Sequence, residues 1–269
     1  MPKIEVAGRE LHFERGGSGE PLLLIQGMSG THVSWGEPFK GALEEGFDVV
    51  AFDNRGIGHS APVDGPFTIA EMATDTAGLL EALGWETAHV VGISMGGMIA
   101  QELALAHPER LRSLTLGCTY CGGPGSMLMP EENLQKLVAG MQSGDRDMAI
   151  RAGYEVNLSP AFRADESTYA AFHEMATSVP AAKATIELQA QAIFGHDTSG
   201  RLGEIATPTL IVHGTEDGVL PFPNGELIAS LMPPARFEVL EGVGHMFWWE
   251  QPQRSAELIR EHALAANRS

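Results

Sequence analysis

The sequence predicts an α/β fold: a mainly parallel sheet with helices on both faces. Short continuous apolar runs recur along the chain, as expected for strands covered on both sides. Helical patterns alternate with them, the order that builds a parallel sheet. One strand-to-helix junction reads Gly92-Ile93-Ser94-Met95-Gly96, a sharp turn from sheet into helix.

In chain order, the N-terminus reads as a hairpin, residues 4–6 and 11–13 around Gly8. Buried strands are expected at 21–26, 47–53, 88–93, 111–116, 208–213 and 236–240, and helices at 69–83, 95–107 and 251–266. The first of these helices carries its own start signal, because Thr68 is followed three residues later by Glu71. From about Thr119 to Ile205 the alternation stops. Helical patterns fall at 131–141, 145–154, 167–176 and 181–193, and no convincing strand occurs. This predicts a core domain from residues 1–118 and 206–269, and a helical cap inserted at 119–205. The cap would lie over the C-terminal edge of the sheet, where open α/β sheets bind ligands.

Of 269 residues, 35 are acidic and 17 basic, a formal charge of −18. That excess argues against nucleic acid or an anionic membrane surface as a partner, since both need basic patches. The longest aliphatic run, Leu22-Leu23-Leu24-Ile25, is far too short to span a bilayer. The N-terminus has no apolar stretch of the secretory kind, so a cytoplasmic location is expected. Cys118 and Cys121 form an isolated C-x-x-C without the context of a redox or zinc site, and read as reduced structural cysteines.

The chemistry centres on Ser94. A serine in G-x-S-x-G between strand and helix projects its hydroxyl above the sheet. Side chains two positions away would collide, so both are glycine. The helix N-terminus behind it favours developing negative charge. Such a serine needs a base and the base an orienting acid, expected in the chain order Ser, Asp or Glu, His. Asp217 follows the strand at 208–213, with Glu216 as its neighbouring competitor. His245 follows the strand at 236–240, between Gly242 and Gly244. Backbone N–H groups of Met95 and Met28 are the expected oxyanion donors. Trp35, Met246 and Phe247, close in sequence to these loops, are candidates for an apolar acyl pocket, or equally for core packing.

Other patterns fail on context. Gly56-Ile57-Gly58-His59-Ser60-Ala61 resembles a dinucleotide loop, but Pro62 and Pro66 prevent a helix there, so it reads as a turn. His173-Glu174 starts a zinc motif that Thr177 leaves unfinished, and no phosphate-binding loop is present. No metal is expected.

Taken together, Gly27, Asp53 to Ser60, Gly92 to Gly97, His107 to Arg110, Asp217 and Gly244-His245 resemble the α/β-hydrolase superfamily over essentially the whole chain. Within it they look most like the branch of small bacterial esterases, cofactor-free perhydrolases and 3-oxoadipate enol-lactonases. The resemblance implies an eight-stranded mostly parallel sheet, a helical cap, a Ser–His–Asp triad and no cofactor. Many relatives carry His where this chain has Gln26. Dehalogenase and epoxide-hydrolase relatives use Asp at the position of Ser94, which argues against those reactions. The expected function is hydrolysis of a carboxylic ester or lactone of a small, largely apolar molecule through an acyl-enzyme. Perhydrolysis, C–C bond hydrolysis and ligand reception with little turnover stand as alternatives.

Overall fold

Eight strands form one sheet in the computed structural model, which describes residues 2–179 and 181–267. The strands are β1 (Lys3–Val6), β2 (Arg9–Gly17), β3 (Glu20–Ile25), β4 (Phe47–Phe52), β5 (Ala88–Ile93), β6 (Leu111–Gly117), β7 (Thr209–Gly214) and β8 (Arg236–Leu240). Their spatial order is β1-β2-β4-β3-β5-β6-β7-β8. β1 with β2, and β2 with β4, are antiparallel; every other pairing is parallel. The hairpin turn uses positive φ at Ala7 and Gly8.

The helices are α1 (Glu37–Glu44), α2 (Ile69–Ala82), α3 (Met95–Ala106), α4 (Glu131–Gln142), α5 (Arg146–Asn157), α6 (Pro160–Arg163), α7 (Ser167–Ser178), α8 (Lys183–Phe194), α9 (Pro223–Leu231), α10 (Phe247–Glu250) and α11 (Pro252–Ala266). Thr68 and Glu71 form the capping box of α2, each side chain bonding the other's backbone N–H.

Two cores flank the sheet, and strand alternation creates both. Leu23 and Ile25 of β3 face one core with α2 and α3. Leu22 and Leu24 face the other with α1 and α11. This is why the strands read as unbroken apolar runs.

Three features depart from the sequence reading. β2 extends well beyond residue 13, because Phe13 to Gly17 pair with β4 while the other side of the strand is polar. α1 follows Gly36 as its N-cap and includes Pro38 in its first turn, too short a helix for periodicity to declare. α9 begins Pro-Asn-Gly, which reads as a turn. Pro223 is instead the first helical residue. Gly225 lets the helix press on His213, whose Nδ1 would lie 2.8 Å from a Cβ there.

Helices α4 to α8 follow one another between β6 and β7, with no strand among the described residues of 119–205. Among the described residues, no helix is long and apolar enough to cross a membrane.

Candidate active site

Ser94 sits between β5 and α3 with φ 53° and ψ −123°, a conformation that non-glycine residues rarely adopt. Such strain costs on the order of 1–3 kcal/mol and persists only where the surroundings impose it. They do so here. The Ser94 N–H donates to Gly117 O at 2.9 Å, and Ser94 O accepts from Gly97 N at 2.9 Å and from Thr119 Oγ1 at 2.7 Å. A Cβ at residue 92 would run into Gly96 O, and one at residue 96 into Ile25 O. The two flanking glycines are thus a steric condition for the turn. The Ser94 side chain is half-buried, and its hydroxyl has no hydrogen-bond partner among the described residues.

Asp217 and His245 meet at the same edge. His245 Nδ1 lies 2.8 Å from Asp217 Oδ2. The other oxygen, Oδ1, accepts from Val219 N at 2.8 Å and Leu220 N at 2.9 Å. His213 Nε2 lies 2.8 Å from Leu220 O and 3.1 Å from Asp217 Oδ2. A carbonyl only accepts, so His213 Nε2 carries the proton and supports the carboxylate from behind. Burial pushes the Asp217 carboxyl up, but the charge of His245 and the hydrogen bonds of both histidines outweigh it. The net effect holds Asp217 well below the usual carboxylate range. An ionised Asp217 accepts from Nδ1–H, which leaves His245 Nε2 with a free lone pair. That nitrogen has no partner among the described residues. No hydrogen bond joins it to Ser94, a contact that in ligand-free enzymes commonly tightens only with substrate. Glu216, the competitor, directs its backbone N–H to Val243 O, and its carboxylate makes no bond to His245.

The loop after β3 brings a third element. A Cβ at Gly27 would stand 2.9 Å from Ser94 Cβ, so only glycine lets this loop approach so closely. Gly27 N–H donates to Gln26 Oε1 at 3.0 Å, and Ser29 N–H donates to Gln189 Oε1 of α8 at 2.9 Å. The Met28 amide between them and the Met95 amide at the start of α3 have no hydrogen-bond partner among the described residues. Two free N–H groups beside a serine hydroxyl can receive an oxyanion. Gln26, in place of a histidine, therefore still braces the loop.

Several neighbours gave no local signal. Cys118, at φ 40°, is completely buried, and its Sγ lies within 4.8 Å of ligand atoms of Asp217 and His245. Burial, then the Asp217 charge, push its thiol well above the ordinary range, so it stays neutral. The C-x-x-C residues are free thiols, both buried. Trp35, Met246 and Phe247 are core residues: Trp35 stacks on Phe39 at 5.6 Å, and Phe247 packs over Gly117. This burial suits the core-packing reading and is equally compatible with residues lining an enclosed pocket.

Glu250 ties the segment after α5 to the loop bearing His245. Its Oε1 accepts from Ser159 N at 2.7 Å and Gly244 N at 3.0 Å, and its Oε2 from Ser159 Oγ at 2.6 Å. Met246 N–H also donates to Asn157 O at 3.1 Å. Glu250→Ala leaves two amides unpaired, at about 1–3 kcal/mol each. It is expected to lower both the unfolding midpoint and kcat. Glu250→Gln keeps an acceptor for both amides and is expected to restore both values, measured by thermal melts and steady-state kinetics.

Two groups of described side chains have metal-ligand spacing: Cys118, Asp217 and His245, and, separately, His12, His32 and Asp53. The first holds the His245–Asp217 pair with the neutral Cys118 thiol beside it. The loop at Gly56 to Ala61 is a turn, as read: Gly56 has φ 73° and its N–H donates to Ala61 O at 3.0 Å.

A family model described as alpha/beta hydrolase fold matches residues 20–252. The Azorhizobium caulinodans protein named "Putative carbamate hydrolase RutD" is 32% identical over 261 residues, 96% of this chain and 97% of its own. A thermophilic esterase from Thermogutta terrifontis is similar with a TM-score of 0.79 at 27% identity, over 98% of each chain. Est816, described as an N-acyl homoserine lactone degrading enzyme, gives 0.80 at 29% identity, over 97% of this chain and 99% of its own.

Proposed function

The chain belongs to the alpha/beta hydrolase fold family, and we propose that it is a serine hydrolase cleaving a carboxylic ester or lactone through an acyl-enzyme. Ser94 Oγ attacks the carbonyl carbon while His245 Nε2 takes its proton. The amides of Met28 and Met95 hold the resulting oxyanion. Collapse expels the alkoxide leaving group, which takes the proton from His245, and the acyl group stays on Ser94. Water, deprotonated by the same nitrogen, then attacks the acyl-enzyme; the bond to Ser94 Oγ breaks, Oγ takes the proton back from His245, and the acid is released. Asp217 fixes the imidazole tautomer and stabilises the imidazolium. Residues 119–205 serve as the cap that limits the size of the acyl and alcohol parts.

The observation that carries this reading is the pairing of an ionised Asp217 with His245 at 2.8 Å, at the sheet edge where Ser94 is held in a strained turn. The relatives named for carbamate hydrolysis, esterase activity and lactone degradation support acyl transfer to water as the common chemistry. A panel of nitrophenyl esters, lactones and carbamates, a 1,3-diketone, and an acid with and without peroxide tests it. Turnover of short esters or lactones is expected. Turnover confined to the diketone, or to peroxide-dependent reactions, contradicts it, as does an absence of turnover throughout.

A further inference from the structure

A second cluster of chemistry-bearing side chains lies beside the C-terminal ends of β3 and β4, and it contains none of Ser94, Asp217 and His245. His12 on β2, His32 after the loop that follows β3, and Asp53 after β4 are all buried, at 1%, 3% and 0% exposure. The rings of His12 and His32 are 4.5 Å apart, and that of His59 is 5.1 Å from His12. One nitrogen of each of the first two rings and one oxygen of Asp53 lie within 4.8 Å of one another.

The hydrogen bonding of His12 points to a missing partner. Its Nδ1 is 2.9 Å from Pro2 O. A carbonyl only accepts, so Nδ1 carries the proton and Nε2 presents a lone pair. That Nε2 is buried and has no partner among the described residues. A histidine whose second ring N–H is held by a backbone carbonyl is set up as metal-bound histidines are. His32 Nδ1 is 2.8 Å from Asp53 Oδ1, close to the roughly 3 Å between neighbouring ligand atoms around a transition metal with bonds of about 2.0–2.1 Å. Asp53 supplies the negative charge. Its Oδ2 also accepts from His59 N at 2.9 Å, which orients the carboxylate. Glu14 Oε1 lies 3.6 Å from His32 Nε2, so it faces the ring nitrogen that does not bind the ion and can take up its N–H. Glu14 is two residues from His12 on β2 and so on the same side of the strand.

We propose that His12, His32 and Asp53 bind one divalent transition cation of the zinc class. Two imidazoles and one carboxylate favour zinc, cobalt or nickel over calcium or magnesium, which prefer all-oxygen sites. Asp53 Oδ1 also accepts from the His32 backbone N–H at 2.8 Å, so binding draws the three side chains together and moves the His32 ring proton from Nδ1 to Nε2, toward Glu14. The ion would brace the loop from Gln26 to Thr31, which carries the Met28 amide, against β2 and β4.

The test uses the full chain without a tag, stripped by chelator and dialysed. Titration with Co2+ is followed by visible ligand-field absorption, and titration with Zn2+ by calorimetry. One equivalent is expected to bind. His12→Gln is expected to weaken binding at least tenfold and to abolish any zinc-dependent rise in melting temperature, while His245→Ala binds as the wild type does. Binding lost in His245→Ala but kept in His12→Gln overturns the proposal, because it puts the ion on Cys118, Asp217 and His245. The wild-type chain decides independently of how the variants fold: failure to retain near one equivalent of zinc at equilibrium overturns the proposal outright.

Discussion

Ser94→Ala is expected to lower kcat on the best ester substrate by roughly a millionfold, the scale seen when the nucleophile of a serine triad is removed. Alanine removes the oxygen and keeps the Cβ, so the strained backbone at φ 53° and its bonds to Gly117, Gly97 and Thr119 stay in place. The melting temperature is therefore expected to change little. KM is expected to hold within a few-fold, because the Met28 and Met95 amides are untouched. Steady-state kinetics and a thermal melt on the same preparation read both. Activity near wild type would remove Ser94 from the reaction.

Asp217→Asn is expected to cost about 10^4 in kcat, for a reason of proton placement. An asparagine NH2 in the place of Oδ2 would face both His245 Nδ1 and the proton-bearing His213 Nε2. To avoid a donor–donor clash, His245 takes the tautomer with its proton on Nε2, and the base toward Ser94 is lost. The change also alters the acid response of the fold. Asp217 has a folded pKa below its unfolded value. Its contribution to stability is complete above the ordinary carboxylate range and is lost as pH falls through and below it. The wild type is thus expected to lose stability on acidification over a window in which the asparagine variant changes less. Urea midpoints measured between neutral and acid pH read this, and parallel curves would contradict it.

The elbow was legible because its chemistry is local. A serine at positive φ needs glycines at 92 and 96, and both constraints fall within five residues of one another. The sheet was legible because strands buried on both faces have no polar positions to alternate. Asp217 and His245 could be picked out from their places after β7 and β8, since the strand order carries both to one edge. The supports behind them were not. His213 reads as one more strand histidine, and only the fold sets its Nε2 against Asp217. Gln189 reaches the Gly27 loop from a helix 160 residues away. Glu250 reads as a polar residue before a helix, yet it joins Ser159 to Gly244. For Trp35, Met246 and Phe247, nearness in sequence to a site loop does not distinguish lining from the packing underneath, and both readings leave them buried. α1 and α9 were missed because short helices opened by Gly-Glu-Pro and Pro-Asn-Gly carry turn residues where a pattern would need apolar ones.

Reaction of the folded enzyme with a fluorophosphonate, followed by peptide mass spectrometry, reads most directly whether the hydroxyl at the elbow is activated by the imidazole–carboxylate pair. One adduct is expected, on the peptide bearing Ser94, forming in step with loss of esterase activity and at least a thousandfold more slowly in His245→Ala. An enzyme that turns over esters while Ser94 stays unmodified, or one that labels equally fast without His245, would contradict the account.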